Sequence, residues 1–138
     1  MKTRNQFGFT LIELLITVII IAILAAILTP AYRSYILKSN RSDAVRSLQN
    51  TQILQEKYRV NNTSYGTLAN LGMSTSASNS IGGLYTITIP TNTTSSYTLS
   101  AAAVSTQTSD TACTNFTITY ATGTTTLSSA PQTDCWSQ

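Results

Sequence analysis

Residues 9–28 read FTLIELLITVIIIAILAAIL, and only Thr10, Glu13 and Thr17 among these positions are not apolar. A helix rises about 1.5 Å per residue, so the stretch is about 30 Å long, the thickness of a bilayer's hydrocarbon core. It is long enough to cross a membrane. Lys2 and Arg4 precede it and no acidic residue occurs before Glu13, so the positive-inside tendency places the N-terminus in the cytoplasm. The chain after Pro30 then lies on the far side. A cleaved secretory signal has a shorter apolar run ending in a small-residue cleavage site. A plain anchor fits the length but gives Glu13 no reason to be there. An ionised carboxylate costs about 3 kcal/mol at the centre of a membrane helix, less near its edge, and usually marks a function and a partner.

Beyond the apolar run, Pro30 removes a helical hydrogen bond and crowds the preceding turn. It reads as a kink rather than an end, because helical periodicity resumes at once. Leu37, Ala44, Leu48, Thr51 and Tyr58 fall within a narrow arc at 3.6 residues per turn, flanked by Ile36 and Leu54. This half of the helix is expected to press one face onto a globular head, with Ile53 roughly opposite, free for another subunit. Asn61 to Gly66 supplies turn residues that end it. Residues 67–83 read as a loop. Alternation then sets in. Tyr85, Ile87 and Ile89, then Tyr97, Leu99, Ala101 and Ala103, then Phe116, Ile118 and Tyr120 each give one apolar strand face with mostly threonine opposite. A short last strand is expected at Thr124 to Leu127. The predicted fold class is α+β: a long N-terminal helix whose second half is covered by an antiparallel sheet of three or four strands. The aromatic residues occupy inward positions, which favours a core over a base-stacking platform.

Composition narrows the function. Of 138 residues, charged ones make up only 9%, and serine and threonine supply 42, of which 33 follow position 60, so the head's surface is uncharged hydroxyl. Histidine is absent, and the five carboxylates, Glu13, Asp43, Glu56, Asp110 and Asp134, are too scattered for a catalytic pair or a calcium loop. No catalytic residue, metal site or cofactor is expected, and no enzyme. Cys113 and Cys135 read as a disulfide in an exported chain, the alternative being two unrelated buried thiols. Closing such a loop is worth about 3 kcal/mol in the chain-entropy account.

Gly8-Phe9-Thr10-Leu11-Ile12-Glu13, after a short basic leader and before an apolar helix, resembles the processing motif of type IV pilins and pseudopilins. Cys113, a strand over Asn115 to Tyr120, Gly123 in a turn and Cys135-Trp136 resemble the disulfide-bounded tail of minor pilins of the PilE and ComP type. The resemblance implies three parts: a leader, residues 1–8; a membrane and filament-core helix, residues 9–30; and residues 31–138, the rest of the helix with the pilin head. It also implies that a prepilin peptidase cuts between Gly8 and Phe9 and methylates the Phe9 amine. Glu13 of an incoming subunit would meet that amine on a subunit already assembled. A buried carboxylate is tolerable only when paired and hydrogen-bonded, and this cation is the obvious partner, within one helix or between neighbours. Snorkelling of Glu13 to the interface is the alternative. Many pilins carry a glycine eight residues before the proline, where the helix unwinds in the filament; Ala22 stands there in this chain.

The expected role is a structural subunit of a type IV pilus, a minor pilin, with a major pilin, or a DNA-binding or adhesive pilin, as the alternative. Expected partners are other pilin subunits, the prepilin peptidase, the inner-membrane assembly machinery and the membrane itself. The expected location is the bacterial inner membrane before assembly and the extracellular pilus afterwards, with the head in the periplasm or outside. Motility, adhesion and DNA uptake are the candidate outputs. DNA is the disfavoured partner, because phosphate binding needs lysine and arginine and all eight basic residues lie before position 60. Arg33, Lys38, Arg41 and Arg46 read as a solvated or lipid-phosphate-facing helix surface. Asn-x-Ser/Thr patterns occur at Asn40, Asn61, Asn62, Asn92 and Asn115, as so threonine-rich a chain produces readily by chance.

Overall fold

The computed structural model describes residues 8–74 and 77–136. Of the expected leader only Gly8 falls within them; Lys2 and Arg4 lie outside. One helix, α1, runs Leu11–Val60, followed by β1 (Ser78–Asn79), β2 (Tyr85–Asn92), β3 (Ser96–Ala103), a short 3-10 turn at Ser105–Ser109, β4 (Cys113–Ala121) and β5 (Thr124–Pro131). The chain divides into two compact units, residues 1–35 and 36–138.

The described part of the first unit is helix from Leu11 onward. Leucine, alanine and isoleucine dominate it, and isoleucine pays little for its poorer helix propensity where lipid or protein rather than water surrounds it. Pro30 stands inside the helix, so the carbonyl of Ala26 lacks its usual donor.

In the second unit α1 closes with Lys57 and Arg59 in its last turn, where cations suit the dipole. Asn62 Nδ2 donates to the Tyr58 carbonyl at 2.8 Å, so a turn residue satisfies one of the orphan acceptors. The strands form one antiparallel sheet in the order β1-β2-β3-β4-β5. The sheet exceeds the expected three or four strands because β1, two residues long, lies in the segment read as loop. Two residues carry no alternation for a sequence reading to detect. The last strand also runs to Pro131 rather than Leu127, because its second half, Ser128 to Pro131, has no apolar alternation and buries only Ser129.

Tyr85, Ile87, Tyr97, Leu99, Ala101, Phe116 and Ile118 turn one face of the sheet onto Ala44 and Leu48 of the helix, all buried. Ser47, Thr51 and Gln55 are buried on the helix as well, whereas Leu37, Leu54 and Tyr58 are only half-buried. The buried arc is therefore narrower and more polar than the expected stripe. Ile53 is exposed as expected. Tyr65, Tyr97 and Tyr120 pack together at centroid separations of 4.6 to 5.6 Å. β4 and β5 are joined by Thr122 and Gly123, both at positive φ, 50° and 86°. Two such residues make the turn whose twist matches a hairpin.

Candidate functional site

The N-terminal end of α1 is built from Thr10. Its carbonyl accepts the Leu14 N–H at 3.2 Å and its Oγ1 accepts the Glu13 N–H at 3.2 Å, which makes Thr10 the cap and Glu13 the third helical residue. A carboxylate in the first turn lies where the helix dipole favours negative charge. The sequence reading passed over Thr10, although Thr-x-x-Glu is the spacing of a capping box. Gly8 and Phe9 precede the helix, and Phe9 is 82% exposed. The bond between them thus lies in non-helical, open chain. The Glu13 carboxylate has no partner among the described residues.

From Leu11 to Leu28 the large apolar side chains are exposed on every side, the least of them, Leu15, at 46%. Thr17 and Thr29 hydroxyls donate to the carbonyls of Leu14 and Ala25, at 2.8 and 2.7 Å, so neither presents an unmet donor. Such a surface is stable only against lipid or other apolar helices.

The head is fastened to its part of α1 by polar clamps. Arg41 Nε and Nη2 donate to Asp110 Oδ2 and Oδ1 at 2.7 and 2.9 Å, a two-pronged pair in which Arg41 is 11% and Asp110 6% exposed. The hydrogen bonds that Arg41 donates to Asp110 outweigh the cost of burial and hold the guanidinium above its ordinary pKa. Arg41 is therefore no part of a solvated basic face. Buried Gln107 donates to the Leu37 carbonyl at 3.0 Å. Asp43 accepts from the Ser80 hydroxyl and from the N–H of Gly82 at 2.7 Å and of Leu84 at 3.3 Å. A Cβ on Gly82 would meet the Asp43 carboxylate at 3.0 Å, so a larger residue there would press on the clamp. Gln55 and Gly66 exchange two hydrogen bonds, of 2.7 and 2.8 Å. These partners lie 11 to 70 residues apart, and no local pattern joins them. Cys113 and Cys135 form a disulfide with Cα atoms 6.0 Å apart, both buried, and Trp136 Nε1 donates to the Ser128 carbonyl at 2.6 Å.

Free cationic side chains in the head are confined to the helix. Lys38, Arg46 and Lys57 are exposed, whereas Arg59 lies 5.7 Å from the Tyr65 ring centroid and donates to the Asn62 carbonyl. The five strands carry neither lysine nor arginine. No group of three side chains able to hold a metal occurs among the described residues.

Residues 3–29 match the family described as prokaryotic N-terminal methylation motif, and residues 30–117 match the one described as type IV minor pilin ComP, DNA uptake sequence receptor. The chain belongs to the type IV pilin family. The second match takes in Cys113 but stops short of Cys135, so it rests on the helix and the first strands more than on the tail. Curated relatives of this pilin include the type IV wide pilus major component PilA4 of Thermus thermophilus, 40% identical over 80 residues, 55% of this chain and 61% of that one. The type IV major pilin protein PilE of Neisseria gonorrhoeae is 35% identical over 80 residues, 58% of this chain and 47% of that one. The fimbrial protein EcpC of Eikenella corrodens is 59% identical over 44 residues, 32% and 29% of the two chains. The pilin thus spans between 29% and 61% of these relatives' lengths.

Proposed function

We propose that this pilin is a structural subunit that waits in the bacterial inner membrane and passes from there into a type IV pilus, acting as a minor component. The observation that carries the proposal is the all-round exposure of Leu11 to Leu28 with a carboxylate at its start that has no partner among the described residues. In this reading a prepilin peptidase cuts the open Gly8–Phe9 bond and methylates the new amine of Phe9. The amine then answers the Glu13 carboxylate of an arriving subunit, and apolar helices replace lipid around one another. Pro30, with one backbone acceptor unmet, is where the helix yields most readily during packing. The head, with its hydroxyl surface, remains outside.

The minor role is supported by the match over residues 30–117, and the abundance of the chain in sheared filaments tests it. Mass spectrometry of the mature N-terminus tests the processing. A chain beginning at methylated Phe9 supports it, and an intact leader in cells that make filaments contradicts it.

A second reading, direct capture of DNA, has the family description in its favour, but the strands offer no cation to a phosphate. Titration of the full chain with DNA at two salt concentrations separates the two. Salt-sensitive binding at micromolar or tighter favours the second.

A further inference from the structure

We propose that Thr10 is a positioning residue for the processing step: its hydroxyl fixes where the helix starts and so keeps the Gly8–Phe9 bond open to the peptidase, an inference that rests on the processing reading above. A peptidase must bring its attacking group onto the carbonyl carbon of Gly8. In a helix that carbonyl would be tied to the N–H four residues on, at Ile12, with the surrounding turn closed over it. In this chain the first carbonyl of the ladder is that of Thr10, which accepts the Leu14 N–H at 3.2 Å. The Gly8 and Phe9 carbonyls accept no hydrogen bond among the described residues. The space beside Gly8 is also open, since even a Cβ there would touch nothing within 4 Å.

The edge of a bilayer works against that openness. The first N–H groups of a helix have no partner in its ladder, and close to hydrocarbon each is costly to leave unmet. Extending the helix upstream would serve Ile12 and Glu13 with the carbonyls of Gly8 and Phe9. Thr10 removes part of that incentive, because its Oγ1 already accepts the Glu13 N–H at 3.2 Å. The flanking residues agree with a start at this point: Glu13 stands at the third helical position, and apolar Phe9 and Leu14 occupy the two positions of a hydrophobic staple. Upstream, Phe9 has no side-chain acceptor to cap with, whereas glycine caps about as well as threonine. With the Thr10 hydroxyl gone, the favoured start therefore moves to Gly8. Phe9 then enters the first turn and the Gly8 carbonyl is spent on Ile12. An enzyme that takes only the open form sees its apparent affinity scaled by the fraction of open chains, while its turnover of bound substrate is unchanged. A threonine cap shifts the balance between two helix starts about fivefold.

The test follows cleavage of the full chain in membrane vesicles by a prepilin peptidase, with kcat and KM taken separately and the cut located by mass spectrometry. NMR of the same chains in lipid nanodiscs reports where the helix starts. Thr10→Val keeps the side chain's shape and loses the acceptor, and it is expected to raise KM about fivefold at unchanged kcat, with helical shifts spreading to Phe9. Thr10→Ser, which keeps the cap, should match the wild type in both readouts. An unchanged KM in Thr10→Val, a raised KM with the helix start unmoved, or an equal loss in Thr10→Ser would overturn the role of Thr10. A wild type cut between Gly8 and Phe9 no better than Thr10→Val removes that role alone; a wild type not cut there at all removes the processing reading with it.

Discussion

Arg41 and Asp110 show how one contact can decide the fate of a head with few charges. Both groups are nearly out of water, so each depends on the other for its solvation. Removing only one leaves a buried charge unanswered, and Asp110→Ala is expected to destabilise the head by about 3 to 5 kcal/mol, read as a lowered urea midpoint. Arg41→Met with Asp110→Leu should recover most of that loss, because the cost lies in the orphaned charge and not in the missing pair. The tyrosines set a different limit. Burial pushes Tyr85 up to about 12, burial and the hydrogen bond with Tyr120 push Tyr65 up to about 12, and burial followed by the nearby Glu56 charge pushes Tyr97 up as well. A raised phenol pKa means that the folded head keeps its proton where the unfolded chain gives it up. The stability this contributes is complete below about pH 10, the unfolded value, and is lost as pH climbs towards 12. Denaturant midpoints measured from pH 8 to pH 12 should hold steady and then fall, and Tyr85→Phe should make the fall shallower.

Among the elements, the β4–β5 hairpin depends on its turn. Gly123 at φ 86° lies in backbone that residues with a Cβ rarely adopt, and Thr122 already bears that burden beside it. Gly123→Val is expected to cost about 1 to 3 kcal/mol, visible in the same urea melts, with the disulfide preserving the topology. Legibility varied from one element to the next for reasons of this kind. β2, β3 and β4 were readable because Tyr85, Ile87, Tyr97, Leu99, Phe116 and Ile118 alternate with polar residues and are buried as that alternation requires. β1 was hidden by its length, and the outer half of β5 by its lack of any buried apolar side chain. The clamps from Asp43, Gln55 and Gln107 were hidden because a polar residue on a helix looks solvated until its distant partner is known. At the N-terminal end the motif singles out Gly8, Phe9 and Glu13, whose roles in processing and assembly belong to the proposed function. Thr10 could have been found from its spacing to Glu13.

The whole molecule couples two surfaces with opposite needs. A head of hydroxyl side chains has what it requires in water, whereas the helix from Leu11 to Leu28 is exposed along its length and must be covered by lipid or by its own kind. Glu13 makes that choice depend on charge, since its carboxylate lacks a partner in its own chain among the described residues. If the Phe9 amine of a neighbour supplies the partner, the pair draws subunits together at the helix ends, and apolar packing does the rest. The most direct test compares wild type, Glu13→Ala and Glu13→Gln in the same cells for recovery in sheared filaments, with membrane levels of each chain and its N-terminal processing measured alongside. Both variants should reach the membrane and lose their leader as the wild type does, yet be depleted from filaments about tenfold or more, matching a lost ion-pair advantage of at least 1.4 kcal/mol. Incorporation of Glu13→Ala at the wild-type level would contradict the electrostatic account of assembly.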